Sequence, residues 1–286
     1  VVYGQEKALT SRSTRTSNGD YRQSPFQQLP FYLLSVGLAL LVWQTGVQWI
    51  GDTPRRFLLP TPAEVLTRFV KLATNGTLVH HAGVTLLEMG LGLLVGTTLA
   101  VVLGYGVAHS KLLAYLLEPV IVTSQAVPIV ALAPLLTVWF GPKLASKVIV
   151  CALIVFFPIL VNVVTGLKGI DPRLRDLFRM LEAPRYKVLL GLEIPAALPA
   201  FLSGLRVSGT LAGMGAVVGE FVASTQGLGY LVKQGQNLYD MPMMFVAIIT
   251  LMAIALTVYG LLTVVEHRTL RWNVQDTTTA YSEEST

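Results

Sequence analysis

Apolar residues run along the chain in long blocks separated by short polar segments. Residues 31–50 form a block without a charge, matching the roughly 20 residues a helix needs to cross a hydrocarbon core of about 30 Å. Further mostly apolar blocks at about 83–108, 112–134, 145–167, 196–223 and 243–265 predict five more crossings. The expected architecture is therefore an all-α, polytopic membrane protein of six transmembrane helices. The first block is too long for the apolar core of a cleavable leader and lacks a small-residue cleavage site. Residues 1–30 and 268–286 are polar and read as tails flanking a membrane domain at 31–267.

The segments between the blocks carry local signals. In 59–76, Thr61 lies between two prolines and Glu64 follows three residues later, the spacing of a capping box. Val65, Leu66, Phe69, Val70, Leu72 and Ala73 form an apolar stripe with Arg68 and Lys71 opposite, which predicts an amphipathic helix along the interface. Pro128 and Pro134 interrupt an apolar run and imply a broken helix sheltered by protein or a cavity. Gly92/Gly96, Gly209/Gly213 and Gly215/Gly219 are four-residue glycine pairs that permit close helix approach. Residues 224–242 read as a polar loop.

Composition sharpens the class. The chain of 286 residues is 53% hydrophobic and 13% charged, with a mean hydropathy of +0.61; a soluble domain carries about a quarter charged residues. The net charge of +5 does not point to nucleic acid, because the basic residues sit between spans and form no continuous face. Most Lys and Arg residues fall on the side that holds both termini and the segment 168–195, so the positive-inside rule places that side in the cytoplasm. The single cysteine, Cys151, reads as a small buried side chain.

Polar residues inside the blocks are the candidates for a translocation path. Glu220 is an intramembrane acid, suited to a path, an inter-helix bond or a structural hydrogen bond near the outer end. Arg206 reads as a snorkelling arginine. The two lie about 21 Å apart along one helix and do not pair directly. Asn162 suits a bond between helices, and Ser124, Gln125, Ser208 and Thr210 are further polar candidates. Glu88 is expected at the interface. His80 and His81 are adjacent and so do not share a helix face, which argues against a metal site.

The longest basic interruption, 168–199, has its own design. Asp171 then Pro172 marks a helix start. Leu174, Leu177, Phe178 and Leu181 follow on one face while Arg173, Arg175 and Arg179 point elsewhere. Pro184 opens a second short helix, and Ile194–Pro195 returns the chain to the membrane. From these residues alone, a helix lying on anionic lipid and a grip for a soluble partner both remain open.

This hairpin resembles the "EAA loop" of permease subunits in binding-protein-dependent ABC importers. The family pattern is Glu-Ala-Ala, three residues, Gly, nine residues, Ile, one residue, Leu-Pro. Asp176-Leu177-Phe178 stands for Glu-Ala-Ala, Glu182 for Gly, Leu192 for Ile and Ile194-Pro195 for Leu-Pro. Leu177 and Phe178 are bulkier than alanine. Glu182 departs from glycine; a left-handed backbone there costs about 1–2 kcal/mol, unless the turn takes another shape. Leu181 and Ala183 flank that turn and complete the expected coupling surface.

The resemblance extends over nearly the whole chain, through LPTPAEVLTRFVKLATNGTL, SQAVPIVALAPLLTVWFG, FFPILVNVVTGL, PAALPAFLSGLRVSG and GEFVASTQGLGYLV. It implies a type I importer permease fold, a homodimer or pseudo-dimer of permeases, two cytoplasmic ATPases clasping the hairpins and an external solute-binding protein. The chain has no GxxxxGK phosphate loop, so no cofactor is expected on it; ATP and Mg belong to the ATPase, and the chain is expected to be a non-catalytic permease. Within the family it is similar to permeases for riboflavin or the thiamine pyrimidine moiety, with nitrate, sulfonate and taurine permeases as close rivals. An ion-coupled secondary carrier is the alternative class and requires a titratable cluster near the midplane. A membrane enzyme requires a catalytic constellation that four histidines and one cysteine do not supply.

Overall fold

The computed structural model describes residues 25–50, 59–125 and 128–270. The expected tails therefore fall largely outside the described residues. Every regular element among the described residues is helical, as unbroken apolar runs without strand alternation dictate. The chain divides into two units, Val1–Thr53 and Pro54–Thr286. The first carries α1 (Pro25–Ile50), 26 residues long. Within it the Thr45 hydroxyl donates to the Leu41 carbonyl at 2.8 Å, which satisfies a polar group inside an apolar helix.

The second unit begins with α2 (Pro62–Thr74). Its capping box forms as expected: Glu64 N–H donates to Thr61 Oγ1 at 3.2 Å, and Thr61 N–H donates to Glu64 Oε2 at 2.8 Å. The inward face differs from the expected stripe. Val65 and Leu72 are buried, Leu66, Phe69 and Val70 are exposed, and Arg68 between the buried pair reaches Asp240. A partner for the guanidinium outweighs the apolar stripe.

Among the described residues, four helical stretches are long and apolar enough to cross a membrane: α3 (Thr77–His109), α6 (Leu144–Lys168), the stretch Arg185–Val222, and α11 (Met241–Thr269). Helix α3 starts six residues before the expected 83, because nothing after the Asn75–Gly76 turn breaks it; Gly76 takes a positive φ of 77° and Asn75 Oδ1 accepts from Thr77 N–H. The expected span at 112–134 is two helices, α4 (Lys111–Gln125) and α5 (Ile129–Phe140), with Pro128 ahead of the second. The expected loop at 224–242 contains α10 (Leu228–Leu238), with Leu228, Leu231 and Gly235 buried at helical spacing. That short stripe is masked in the sequence by Lys233, Gln234, Gln236 and Asn237.

Helices α3, α6 and α9 (Ile194–Ala223) form the core, and small residues set their separation. A Cβ on Gly96 would lie 2.7 Å from the Ala152 carbonyl oxygen, and one on Gly215 would lie 2.8 Å from Cys151 Cα. Cys151 is fully buried between α3 and α9.

At one end of this core the three helices share a buried polar cluster. Lys147 Nζ on α6 lies 2.8 Å from Glu88 Oε1 on α3 and 2.7 Å from Ser224 Oγ. Thr85 Oγ1 on α3 donates to Glu220 Oε1 on α9 at 2.7 Å. Glu220 also accepts from Gly229 N–H, and Leu228 N–H donates to Thr85 Oγ1 at 2.8 Å. Glu88, Thr85 and Glu220 are 0% exposed. Glu88 is thus a buried ion-pair partner rather than an interfacial group, since an unpaired carboxylate there is too costly.

At the other end the chain leaves the core as the hairpin. Asp171 Oδ1 accepts from Arg173 N–H at 2.8 Å and opens α7 (Pro172–Met180). Ala183 N–H donates to the Phe178 carbonyl at 3.1 Å and Glu182 N–H to the Arg179 carbonyl at 3.0 Å. Those bonds define a Schellman end, which places Glu182 in the left-handed region at φ 49°. The departure from glycine is therefore accommodated as strain, not by another turn shape. A second short helix, α8 (Arg185–Val188), runs through a π-helical turn at Leu189–Glu193 into α9.

Two outcomes are expected. Lys147→Met strands the buried Glu88 charge and should destabilise the chain by about 3–5 kcal/mol, with much of the loss recovered by adding Glu88→Gln; thermal unfolding in detergent reads both. Glu182→Gly should stabilise by up to about 1 kcal/mol, the left-handed penalty less the extra backbone entropy of glycine, seen as a raised Tm.

Candidate functional site

The hairpin presents apolar surface outward. Leu174, Leu177, Met180 and Leu181 are 45%, 49%, 82% and 68% exposed, and no residue of α7 is buried. Across the turn, Tyr186, Leu190 and Ile194 are exposed too. Asp176 is paired with Arg179 at 3.0 Å, so the charges at this position hold each other beside the apolar face. Glu182 is exposed, and Ala183 and Pro195 are half-buried.

The expected coupling residues therefore divide by direction. Leu177 and Leu181 face outward. Phe178 turns inward against the core and against Gly191, and Leu192 is buried. The second pair anchors the hairpin; the first is available to a partner. Met180, Tyr186 and Leu190 are further exposed apolar residues of the hairpin outside the motif positions.

Two polar contacts fix the hairpin to the spans. Arg175 Nη2 donates to the Leu167 carbonyl at the end of α6, at 2.6 Å. Glu193, in the π turn, lies 2.7 Å from His109 Nε2 at the end of α3. His109 stacks on Tyr105 with ring centroids 4.1 Å apart. An apolar cavity of about 520 Å³ opens beside this contact, with Val101, Val163, Leu167, Ala197 and Phe201 in its wall. Neither Glu193 nor His109 stands out in the sequence, since they are 84 residues apart.

The candidates for a path do not converge. Glu220 belongs to the cluster at the end of the core away from the hairpin. Asn162 Nδ2 donates to the Pro158 carbonyl of its own helix at 2.8 Å and lines a cavity of about 380 Å³ with Ile129, Phe157 and Val161. Arg206 pairs with Glu266 of α11 at 2.9 Å and lies over the Tyr259 ring at 5.8 Å, so it is held between helices. Ser124 and Gln125 fall in the last turn of α4, and their side chains are outside the described residues. Ser208 Oγ donates to the Val155 carbonyl at 3.2 Å, and Thr210 bonds within its own helix. His81 Nδ1 accepts from Gly227 N–H at 2.9 Å beside the buried cluster, and its ring meets that of His80 edge-on, with centroids 5.4 Å apart.

Sequence reasoning placed Glu220 in the membrane but missed Glu88, Thr85 and Lys147 as its neighbours. The signal was present in α3. His81, Thr85 and Glu88 precede Gly92 and Gly96 on one helical stripe, and a stripe continuous with contact glycines faces protein.

Comparison with known proteins fits this geometry. Residues 96–271, well over half of the chain, match the family model described as binding-protein-dependent transport system inner membrane component. The chain is 40% identical to the riboflavin transport system permease protein of Chloroflexus aurantiacus over 94% of this chain and 98% of that protein. It is 31% identical to the formylaminopyrimidine transport permease protein of Halalkalibacterium halodurans over 82% of this chain and 92% of that protein. Its fold is similar to that of the methionine ABC transporter solved in inward-facing conformations, with a TM-score of 0.56, 18% identity, and coverage of 70% of this chain and 97% of the other. The helical core, the protruding hairpin and these matches together place the chain in the family of inner membrane components of binding-protein-dependent ABC transport systems.

Proposed function

We propose that this permease subunit imports riboflavin or a related heterocyclic vitamin precursor, delivered by an external binding protein and driven by cytoplasmic ATPases docked on its hairpins. The observation that carries the docking is the exposed apolar face of α7, Leu174, Leu177, Met180 and Leu181, on a hairpin whose other side is anchored to the core. A contiguous exposed apolar face marks an interaction site, and the resemblance to the importer permeases supports an ATPase as its occupant. ATP and Mg bind the partner, the permease itself remaining non-catalytic, and a second permease copy presents the second hairpin. Closure of the ATPases then draws the hairpins together and reorients the spans. The hairpin side and both termini lie in the cytoplasm, following the Lys and Arg bias.

The substrate class rests on likeness to the riboflavin and formylaminopyrimidine permeases. A likeness to a putative aliphatic sulfonates transport permease protein of Bacillus subtilis, 30% identical over 84% of this chain, keeps sulfonates as the rival cargo. An ion-coupled carrier is disfavoured by the placement of its required acids: Glu88 and Glu220 lie near one end of the core, and Lys147, Thr85 and a backbone N–H engage them.

Two measurements test the reading. Leu177→Asp places a charge at the centre of the outward face and should abolish co-purification of the ATPase; retained co-purification contradicts the docking. The binding protein encoded with this permease should bind riboflavin or a pyrimidine precursor in titration calorimetry; selective binding of a sulfonate contradicts the substrate class.

A further inference from the structure

The outward face of the hairpin explains how a partner attaches, but not how its movement enters the spans. The contact at the hairpin's inner side has the properties of such a link. Glu193 is 9% exposed by side chain and projects from the π-helical turn that joins α8 to α9. A π turn inserts an extra residue into a helix, and such turns recur at functional positions. One extra residue rotates the downstream helix by about 100°, which sets the face on which Glu193 emerges relative to α8. Its surroundings are largely apolar, with Val101, Val163 and Leu189 in the adjoining cavity wall. A buried carboxylate there requires hydrogen-bond partners, and Tyr105 as well as His109 faces it.

The partner is equally well placed. His109 is the last residue of α3. Its Nδ1 lies 3.0 Å from the Tyr105 carbonyl and its Nε2 lies 2.7 Å from Glu193. Both ring nitrogens are therefore engaged. The stacked Tyr105 ring fixes the imidazole plane. Immediately beyond, Ser110 Oγ accepts from Leu113 N–H at 3.3 Å at the start of α4, so His109 sits at the corner of two elements.

We infer that Glu193 and His109 are positioning residues that pass movement of the hairpin into the α3–α4 corner. The inference rests on the ATPase docking proposed above. Arg175, bonded to the Leu167 carbonyl, makes the corresponding connection to α6, so the hairpin holds both core helices that end beside it.

The test uses the purified complex with its ATPases in nanodiscs and two single-cysteine reporters. Lys187→Cys lies on the hairpin at an exposed position outside the apolar docking face, and Lys111→Cys lies at the exposed start of α4. The native Cys151 is 0% exposed and stays silent to maleimide. Labelling rates are measured with and without MgATP and vanadate. In the parent background both reporters should respond. With Glu193→Leu the response at Lys111→Cys should shrink about fivefold, while the response at Lys187→Cys persists. Glu193→Gln, which still hydrogen-bonds His109, should restore it. His109→Leu, at an exposed position, should mimic Glu193→Leu, and the double variant should be no worse than either alone. An undiminished response at Lys111→Cys in Glu193→Leu overturns the inference with the docking intact. An unresponsive Lys187→Cys in the parent overturns the docking itself, and the inference with it.

Discussion

A lysine buried between helices in a membrane has to be neutralised where it sits, and the core is arranged around that requirement. Lys147 meets Glu88 on α3 and Ser224 beyond α9, while Glu220 on α9 meets Thr85 on α3. Water is absent from the bilayer interior and offers no substitute for these partners. The contacts require α3, α6 and α9 to approach closely, and the glycines at 92, 96 and 215 permit it. Charge pairing and glycine packing thus specify the same arrangement, a local and global agreement that favours one native state.

The same three helices end, about 30 Å away along α3, at the hairpin. One end of the core is tied by buried charges, and the other carries a protruding element with an apolar outer face. Phe178 and Leu192 hold that element from below, and Arg175 and Glu193 join it to the ends of α6 and α3. A force applied to Leu177 and its neighbours reaches the core through these few contacts. Strain at Glu182 is localised in the exposed turn between the two short helices, where it leaves the anchoring contacts unperturbed.

Much of this was legible in the sequence because it follows from periodicity and local chemistry. The capping box at Thr61, the helix start at Asp171, the break at Pro128 and the glycine pairs are signals read within a few residues. Helix α10 was lost among its polar neighbours, although Leu228 and Leu231 mark its buried side. The buried cluster was only partly visible: Glu220 is conspicuous in an apolar run, while Glu88 and Lys147 lie near the ends of theirs and imitate interfacial charges. The pairing of Arg68 with Asp240, and of His109 with Glu193, depends on packing between distant segments, which no local pattern encodes. The hairpin's motif spacing gave its place, and its three-dimensional turn gave the division between anchoring and outward residues.

The central claim is that this core is moved by ATP through the hairpin to carry a vitamin-like solute inward. Proteoliposomes containing the permease, its ATPases and the loaded binding protein test it most directly, with labelled riboflavin as the solute and accumulation followed under either ATP or an imposed proton gradient. The account predicts accumulation that requires ATP and the binding protein and does not respond to the gradient alone. Accumulation driven by the gradient, without ATPases, would contradict it.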